Sequence, residues 1–147
     1  MSTLATNKHA KVNYEILEEY EAGLKLTGAE VKSIKGGHAQ IDRAFVSIEG
    51  GMVWLKGAHV SAYKPAGMQP GFDPERTRRL LLHKREIQRM IGKSGEAGLT
   101  FVPLSLYTKG DLVKLSFALA RGKKKFEKRE TIKTREFNRE RDRLIKE

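Results

Sequence analysis

The first half of the chain shows a clear alternation of apolar and polar positions. Residues 1–8 lack this pattern, and we expect them to be loose. From Val12 onward the apolar residues recur at even spacing, with one break near residues 18–21: Val12, Tyr14, Ile16, Tyr20, Ala22, Leu24 and Leu26. A period of two is typical of a strand with one buried face, and a break in it is typical of a bulge. The pattern predicts one long strand, bent or bulged near residues 18–21.

A short helix is predicted directly after this strand. Thr27-Gly28-Ala29-Glu30 has the residue types and spacing of a capping box, in which the threonine and glutamate side chains bind unpaired backbone N–H groups. The helix should turn Val31 and Ile34 inward. Gly36-Gly37 should end it, because glycine is the preferred residue just beyond a helix C-terminus.

Two hairpins are predicted around turns that contain glycine. Strands 44–49 and 52–56 flank two consecutive glycines, and strands 99–108 and 112–120 flank Lys109-Gly110-Asp111. In the last strand one face is apolar along its length: Val113, Leu115, Phe117 and Leu119. The opposite face of this strand is polar and should meet solvent or a partner.

The stretch between the hairpins predicts a loop and a helix. Residues 59–63 favour a short strand, and residues 64–74 favour a loop because they include three prolines and two glycines. Residues 78–82 are compatible with a strand or with a helix. Residues 84–93 predict a helix with three apolar residues at helical spacing, Ile87, Met90 and Ile91.

These elements favour a mainly β fold. About six strands joined mostly by tight turns have edges that need protection, and a small closed or nearly closed antiparallel barrel provides it. We therefore predict an OB-like antiparallel β-barrel with two or three short helices, one of them inserted before the last hairpin. A split α+β sandwich is the alternative architecture.

The end of the chain differs in composition from the rest. Residues 121–147 carry twelve Lys and Arg against six Asp and Glu, so they supply six of the chain's net charge of +11. They contain five large apolar residues: Phe126, Ile132, Phe137, Leu144 and Ile145. This apolar surface is too small to offset the entropy of ordering the segment, although opposite charges recur at helical spacing. We predict a barrel over residues 1–120 and a basic tail over residues 121–147, disordered until a partner orders it as a helix.

Charge and the lack of cysteine narrow the possible partners. A net charge of +11 and a pI near 9.9 favour RNA, DNA or another anionic surface. The absence of cysteine excludes disulfides and thiolate chemistry and is compatible with a reducing compartment. No apolar run has the length of a membrane span, and the N-terminal residues have no apolar signal-like segment. We expect a cytoplasmic protein that does not associate with membranes.

Motifs of common enzymes do not occur in this sequence. It lacks the nucleotide-binding patterns GxxxxGKS, GxxxxGKT and GxGxxG, the zinc motif HExxH and the nucleophile motif GxSxG. The four histidines are far apart and show no ligand spacing: His9, His38, His59 and His83. We predict no enzymatic activity, no metal and no other cofactor. A nuclease that assembles metal ligands from distant carboxylates is the enzymatic alternative.

Three blocks of sequence in a fixed order carry a resemblance to a known family: NKHAKVNYEILEEYEAGLKLTGAEVKSIKGG, RTRRLLLHKREI followed by LTFVPLSLY, and RGKKKFEKRETIK. They resemble the small protein B (SmpB) family, the transfer-messenger-RNA-binding proteins of bacterial trans-translation. The resemblance covers nearly the whole chain. It implies an OB-like barrel with a C-terminal tail that is unstructured in solution, in agreement with the pattern above.

The resemblance also implies a non-enzymatic adaptor. The barrel would bind the tRNA-like domain of transfer-messenger RNA and, with elongation factor Tu, deliver it to a stalled ribosome. The protein would occupy the space of the missing anticodon stem. Its tail would pass the decoding centre, enter the empty mRNA channel and fold into a helix there. We expect the protein to be a monomer.

The resemblance marks three RNA-binding positions in the barrel, which correspond to Glu21 of EAGL, Leu81 of RRLLL and Lys114 of the last strand. Leu81 would pack against the RNA, and Lys114 would contact a phosphate. Glu21 would accept a hydrogen bond from a base edge or a 2′-OH, or it would orient a lysine; a purely structural role for Glu21 and Leu81 is the alternative. Other basic residues of the predicted helices are candidates for phosphate contacts: Lys32, Lys84 and Arg85.

The start of the tail corresponds to ribosome-binding positions of the family. Its basic run, which the resemblance places near ribosomal RNA, comprises Lys123, Lys124 and Lys125. Phe126 stands where the family often has histidine or another aromatic residue. Glu127-Lys128-Arg129 stands where the family usually has Asp-Lys-Arg, so the charge is kept while the acidic side chain is longer.

Three apolar tail residues correspond to positions that engage the ribosome in the family: Phe137, Leu144 and Ile145. Their spacing of i, i+7 and i+8 places them on one face of a helix. A basic ribosomal or ribosome-assembly protein, built from the same barrel and extension, is the alternative function.

Overall fold

The computed structural model describes residues 2–67 and 70–146, which form strands and four helices. The strands are β1 (Thr3–Thr6), β2 (Tyr14–Leu24), β3 (Ala39–Gln40), β4 (Phe45–Glu49), β5 (Met52–Lys56), β6 (His59–Val60), β7 (Arg78–Leu81), β8 (Leu99–Lys109) and β9 (Leu112–Gly122). The helices are α1 (Ala10–Asn13), α2 (Gly28–Lys35), α3 (Lys84–Ser94) and α4 (Lys125–Lys146). A 3-10 turn covers Lys64–Ala66.

Seven strands form one antiparallel sheet in the order β1-β8-β9-β2-β7-β5-β4. β3 and β6 pair separately. The sheet curls until β4 packs against β8, so the two ends of the strand order approach each other. In sequence, helix α3 comes directly before the β8–β9 hairpin. The predicted mainly β class, with a helix inserted before the last hairpin, is therefore confirmed.

The core lies inside the curled sheet, and α2 and α3 cover it. The apolar face predicted for the last strand is buried along its length, as Leu115 and Phe117 illustrate. Tyr20 stacks on Phe117 with the ring centroids 5.3 Å apart. Ile34 of α2 and Met90 of α3 complete this core, and each is almost fully buried.

The local signals for turns and caps are confirmed. The Thr27 hydroxyl accepts a hydrogen bond from the Glu30 N–H at 3.2 Å, and the Glu30 carboxylate accepts one from the Thr27 N–H at 2.9 Å. Gly50 and Gly51 connect β4 to β5 with φ angles of +60° and +74°. Positive φ at both central residues is the geometry of the two-residue hairpin turn that favours glycine.

The N-terminal part of the fold differs from the prediction. Residues 3–6 are not loose but form β1, the strand that pairs with β8 at one edge of the sheet. Residues 10–13 form α1, so the long strand begins at Tyr14 rather than at Val12. Both segments are short, and a four-residue element has too few positions to show a period. Asn7 anchors them, because its side-chain amide donates to the Pro103 carbonyl at 2.9 Å.

Two details of other elements also differ from the prediction. The bulge in β2 lies one residue earlier than predicted, since pairing with β9 shifts between Ile16 and Glu18. In α3, Ile91 is 47% exposed, although its spacing placed it on the inward face. A helix of three turns packs on the sheet with only a narrow part of its surface, and Ile87 and Met90 occupy that part. Residues 78–81, which were ambiguous, form the strand β7.

A buried ion pair joins α2 to β7. Arg78 Nε lies 2.6 Å from Glu30 Oε2, and the two side chains are 1% and 2% exposed. Arg76 Nη2 lies 2.6 Å from the other carboxylate oxygen. Burial raises the pKa of Glu30, but hydrogen bonds from Arg76, the Thr27 backbone and Arg78 outweigh it and leave the pKa below its ordinary value. The pair therefore stabilises the fold at pH values above the pKa that Glu30 has in the unfolded chain. This stabilisation is lost as the pH falls through the lower pKa of Glu30 in the folded protein.

The basic tail is largely one helix. β9 continues to Gly122, two residues beyond the predicted border, and α4 covers Lys125–Lys146. The structure thus shows a helix where composition predicted a segment disordered until bound; ordering by a partner stays a prediction. Two features support the helix: its first turns contact α1, and Glu140 lies 3.6 Å from Arg143 one turn away. Among the described residues, no helix has the length and apolar character of a membrane span.

Candidate nucleic-acid interface

Three sequence-predicted residues meet in one surface groove. Glu21 lies on β2, Leu81 on β7 and Lys114 on β9, and β2 is the strand between the other two. The groove has a volume of about 480 Å³. Its lining consists of Glu21, Gly23, Leu81, Leu82, His83, Glu86 and Lys114. Residues that are 60 and 33 positions apart in sequence are therefore brought together by strand register.

Gly23 lies between Leu81 and Lys114 and leaves space for this groove. It pairs with Leu81 on β7 and with Lys114 on β9. A Cβ atom at position 23 would lie 3.4 Å from Leu81 Cβ and 3.7 Å from Lys114 Nζ, so a larger side chain would fill the gap between them. Sequence reasoning missed Gly23. A glycine inside a strand is itself a sign of close approach by a ligand or another chain, and that signal was available.

Glu21 binds two donors from β8. Tyr107 Oη donates a hydrogen bond to Glu21 Oε2, and Lys109 Nζ lies 3.2 Å from Glu21 Oε1. These hydrogen bonds, that from Tyr107 first, lower the pKa of the Glu21 carboxyl. Burial and the Glu21 hydrogen bond raise the pKa of Tyr107. The carboxylate is therefore ionised at neutral pH, and it holds the Lys109 ammonium and the Tyr107 hydroxyl beside the groove.

The structure contains one of the contacts considered for Glu21, an ion pair with a lysine. The Glu21 carboxylate oxygens accept bonds from Tyr107 and Lys109, and the part of Glu21 in RNA binding stays a prediction. Sequence reasoning did not predict that Tyr107 and Lys109 bind Glu21, because both lie at the far end of a strand whose register was unknown. The alternation of residues in β8 places them on the same face.

The remaining groove residues differ in exposure and charge. Leu81 is 47% exposed, which is unusual for a leucine in a central strand. Lys84 and Arg85 are exposed in the first turn of α3, next to the groove residues His83 and Glu86. A helix N-terminus carries a partial positive charge, so two cations there increase the positive potential at this end of the groove. The groove lining thus combines an apolar contact with one lysine and two glutamates, and the cations of Lys84, Arg85 and Lys109 lie next to it.

Lys32 lies outside this groove. Its ammonium sits 5.5 Å from the centre of the Tyr63 ring, a contact that a cation makes with the face of an aromatic ring. It is exposed on α2 and is absent from the groove lining. Of the six barrel residues that were predicted to bind RNA, Glu21, Leu81 and Lys114 line the groove. Lys84 and Arg85 directly follow the lining residue His83, and Lys32 lies on a different helix.

The basic run at the start of the tail divides into residues with different surroundings. Lys123 is half-buried, and its ammonium donates to Lys11 O at 2.7 Å. Lys124 and Arg129 are exposed, whereas Lys128 is half-buried. Glu127 Oε2 lies 3.9 Å from Arg121 Nη2. The side chains of Lys125 and Phe126 lie outside the part of the chain that the structure describes.

Phe137 and Leu144 of the tail point away from the barrel. Arg135 Nη1 reaches Lys8 O at 3.5 Å, which identifies the face of α4 that contacts the N-terminal segment. Phe137 and Leu144 follow Arg135 by two and nine residues, roughly 200° and 180° around a helix. They are 67% and 63% exposed. The side chain of Ile145 lies outside the described part.

The histidines do not form a metal site in the structure. Within residues 2–67 and 70–146, no three His, Asp or Glu side chains group as metal ligands. His59 Nδ1 lies 3.8 Å from Glu75 Oε1. His83 is the residue directly before α3, at the groove.

Comparison with known proteins decides the family. A family model described as "SmpB protein" matches residues 4–147. The chain belongs to the SmpB family. Among curated SmpB relatives, an "SsrA-binding protein" of Sulfurihydrogenibium sp. is 49% identical over 97% of this chain and 93% of that protein. Another of the same name, from Thermosynechococcus vestitus, is 45% identical over 100% of this chain and 97% of that protein.

A solved structure confirms the SmpB fold. A chain from the structure described as "tmRNA-SmpB: a journey to the center of the bacterial ribosome" superposes with a TM-score of 0.67. It is 42% identical in sequence, and the match covers 82% of this chain and 84% of that chain. The OB-like class predicted from the strand pattern is therefore confirmed, and so is the resemblance seen in the sequence blocks.

Proposed function

We propose that this SmpB family member is the RNA-binding adaptor of trans-translation and that its barrel groove binds transfer-messenger RNA. The observation that carries the proposal is the convergence of Glu21, Leu81 and Lys114 in one groove. The family and the names of its relatives support it, since those relatives are SsrA-binding proteins. Family members are adaptors, and we assign this chain no enzymatic activity.

The groove suits the tRNA-like domain of transfer-messenger RNA. Lys114, Lys84 and Arg85 neutralise phosphates, which supplies affinity without reading sequence. Leu81 packs its exposed side chain against a ribose or a base of the RNA. Folded RNA is recognised largely by shape and backbone contacts, so a groove with an exposed leucine, one lysine and further cations beside it fits this ligand.

Glu21 acts on the RNA indirectly. It faces a polyanion, and a carboxylate repels phosphate unless nearby cations compensate. Lys109 compensates the charge, and the ion pair holds its ammonium at the groove margin, 3.2 Å from Glu21. Tyr107 fixes the other carboxylate oxygen. Glu21 therefore contributes by fixing the position of Lys109 before the RNA arrives, which lowers the ordering entropy lost on binding.

The tail is proposed to act on the ribosome. The tail cations would contact ribosomal RNA near the decoding centre: Lys123, Lys124, Lys125, Lys128 and Arg129. Glu127 would orient these cations, and Phe126 would stack on a base. Further along α4, the apolar residues of the tail would engage the mRNA channel: Phe137, Leu144 and Ile145. An intact message would occupy the channel and exclude the tail, so an empty channel is the signal.

Several finer features belong to the same proposal. The chain would work as a cytoplasmic monomer that, with elongation factor Tu, delivers aminoacylated transfer-messenger RNA to the stalled ribosome. The barrel would take the place of the missing anticodon stem. Lys32 lies away from the groove, and we propose for it a separate phosphate contact outside the three-strand surface.

A binding comparison tests the function. The full chain should bind the isolated tRNA-like domain more tightly than a ribosomal RNA helix of equal length at the same salt concentration. The affinity should fall as salt rises, because bound phosphates release counterions. Equal affinity for both RNAs would favour the ribosome-assembly alternative, and cleavage of either RNA on addition of divalent metal would favour the nuclease.

The indirect role of Glu21 gives a double-mutant prediction. Glu21→Gln and Lys109→Met should each weaken binding of the tRNA-like domain several-fold. In the Lys109→Met background, Glu21→Gln should have almost no further effect, because residues acting through one contact are not additive. Titration of the four proteins with labelled RNA measures the cycle.

The controls for this cycle use the same strand. Tyr107→Phe removes one donor to Glu21 but leaves the ion pair, so its effect should be smaller than that of Lys109→Met. Fully additive losses for Glu21 and Lys109 would show that Glu21 contacts the RNA by itself, against the proposed indirect role.

A further inference from the structure

Three cations follow one side of α3 at intervals of four residues: Arg85, Arg89 and Lys93. Four residues advance a helix by about 6 Å and turn it by about 40° beyond one full turn, so the three side chains form a continuous row. Glu86, which lines the groove, lies about 60° from Arg89 around the helix axis. The row, which we call the α3 cation row, therefore begins beside the groove and leads away from it.

Glu18 of β2 binds the middle cation of this row. Arg89 Nη2 lies 2.8 Å from Glu18 Oε1, and Tyr20 Oη donates a hydrogen bond to Glu18 Oε2 at 2.8 Å. The hydrogen bonds from Tyr20 and Arg89, that from Tyr20 first, lower the pKa of the Glu18 carboxyl. Burial and the bond to Glu18 raise the pKa of Tyr20 to about 12. At neutral pH the carboxylate is therefore charged and the phenol keeps its proton.

The core of the barrel supports Glu18. The Tyr20 ring stacks on Phe117, and its hydroxyl binds the carboxylate, so one end of the contact is fixed by packing. Glu18 also follows the bulge of β2 directly and pairs with Leu119 of β9. A bulge redirects the side chains next to it, which here places a carboxylate within reach of α3. The support for Arg89 is therefore rigid.

Arg89 keeps donors for a ligand. A guanidinium has five N–H donors, and the bond to Glu18 uses one of them. The Arg89 side chain is 64% exposed, whereas that of Glu18 is 31% exposed. An ion pair with so exposed a partner contributes little to the stability of a fold. The pair thus fixes a cation at the surface without covering it.

We propose that the backbone of transfer-messenger RNA continues from the groove along α3, that Arg89 contacts a phosphate there, and that Glu18 is the positioning residue that holds Arg89 for this contact. The proposal rests on the proposed function, because it extends the surface that binds the tRNA-like domain. A cation that is held in advance loses less conformational entropy on binding. β2 then supplies two carboxylates with the same task, Glu18 for Arg89 and Glu21 for Lys109.

The direction of the effect of Glu18→Gln tests the positioning role. A carboxylate that only repelled phosphates would weaken binding, so its neutralisation would raise the affinity for the tRNA-like domain. If Glu18 positions Arg89, Glu18→Gln should instead lower the affinity several-fold, and Arg89→Met should do the same. In the Arg89→Met background, Glu18→Gln should cause no further loss. Titration of the full-length chain and these three variants with labelled tRNA-like domain measures the four affinities.

The salt slope tests the phosphate contact itself. Each phosphate contact contributes about one unit to the slope of log affinity against log salt concentration, so Arg89→Met should reduce the slope by about one. Arg89→Lys keeps the charge and should keep the slope. Thermal unfolding shows whether each variant is folded. A purely structural ion pair would lower the unfolding temperature and leave the affinity and the slope of the folded variants unchanged.

A second ion pair of the barrel provides the matched control. Lys56 binds Glu49 at the β4–β5 hairpin, and neither residue is part of the groove lining. Glu49→Gln and Lys56→Met make the same changes in charge and should alter the affinity much less than the variants of Glu18 and Arg89. An equal or higher affinity for Glu18→Gln, or an unchanged slope for Arg89→Met, would overturn the proposal and leave the proposed function intact. Failure of the native chain to bind the tRNA-like domain would refute the proposed function and this extension with it.

Discussion

Removal of residues 128–147 is expected to abolish peptide tagging on stalled ribosomes while leaving the affinity for transfer-messenger RNA nearly unchanged. The deleted segment contributes eight Lys and Arg and five Asp and Glu, so the shortened chain keeps a net charge of +8 out of +11. The groove residues all lie in the barrel. A reconstituted translation reaction with a truncated message measures tagging, and titration with the tRNA-like domain measures affinity.

A matched set of point variants tests which part of the deleted segment matters. Phe137→Ala and Leu144→Ala remove exposed apolar groups from the outer face of α4 and should reduce tagging strongly. Ile132→Ala removes an apolar group, 43% exposed, from a different side of the same helix and should have a smaller effect. Loss of RNA affinity in parallel with tagging would contradict the division of labour between barrel and tail.

The exposure of the outer α4 face explains why the tail remains available in this structure. Arg135 contacts the N-terminal segment, and charged residues nearer the end of α4, such as Arg139 and Arg143, are exposed. A tail whose cations were covered by the barrel would have to detach before it bound RNA. The exposed cations at Arg139 and Arg143 do not require this cost.

Local chemistry predicted the parts of the fold that depend on few neighbours. The capping box at Thr27 and Glu30 lies within four residues, and the turn at Gly50-Gly51 requires a backbone conformation that favours glycine. Both were predicted correctly because their cause is short-range. The Arg78–Glu30 pair was missed, since its members are 48 residues apart and neither shows its burial in sequence.

The groove shows the same limit at the level of function. Glu21, Leu81 and Lys114 came from resemblance, and nothing in the pattern alone places them together. Strand register decides their proximity, because a shift of one residue would turn each side chain to the opposite face. In the observed register Gly23 pairs with Leu81 on one side and with Lys114 on the other. Because side chains alternate between the two faces of β8, Lys109 lies on the same face as Tyr107. No sequence motif indicated this residue.

Reversal of the charge at Lys114 is expected to weaken binding of the tRNA-like domain by about tenfold or more, because it removes a phosphate contact and adds repulsion. The new carboxylate would also lie near Glu21, whose pKa Lys114 helps to lower. Lys114 is half-buried on the outer face of β9, opposite the core residues Val113 and Leu115, so the fold should be retained. Fluorescence titration at several salt concentrations measures affinity, and the salt slope should fall by about one.

The control for Lys114→Glu is a charge reversal outside the groove. Lys64→Glu makes the same change in net charge at an exposed residue of the 3-10 turn, which is absent from the groove lining. If the groove binds the RNA, Lys64→Glu should change the affinity much less than Lys114→Glu. Equal losses would mean that net charge alone attracts the RNA. Because that outcome would leave the convergence of Glu21, Leu81 and Lys114 without a role in recognition, it would remove the basis for placing the RNA in this groove.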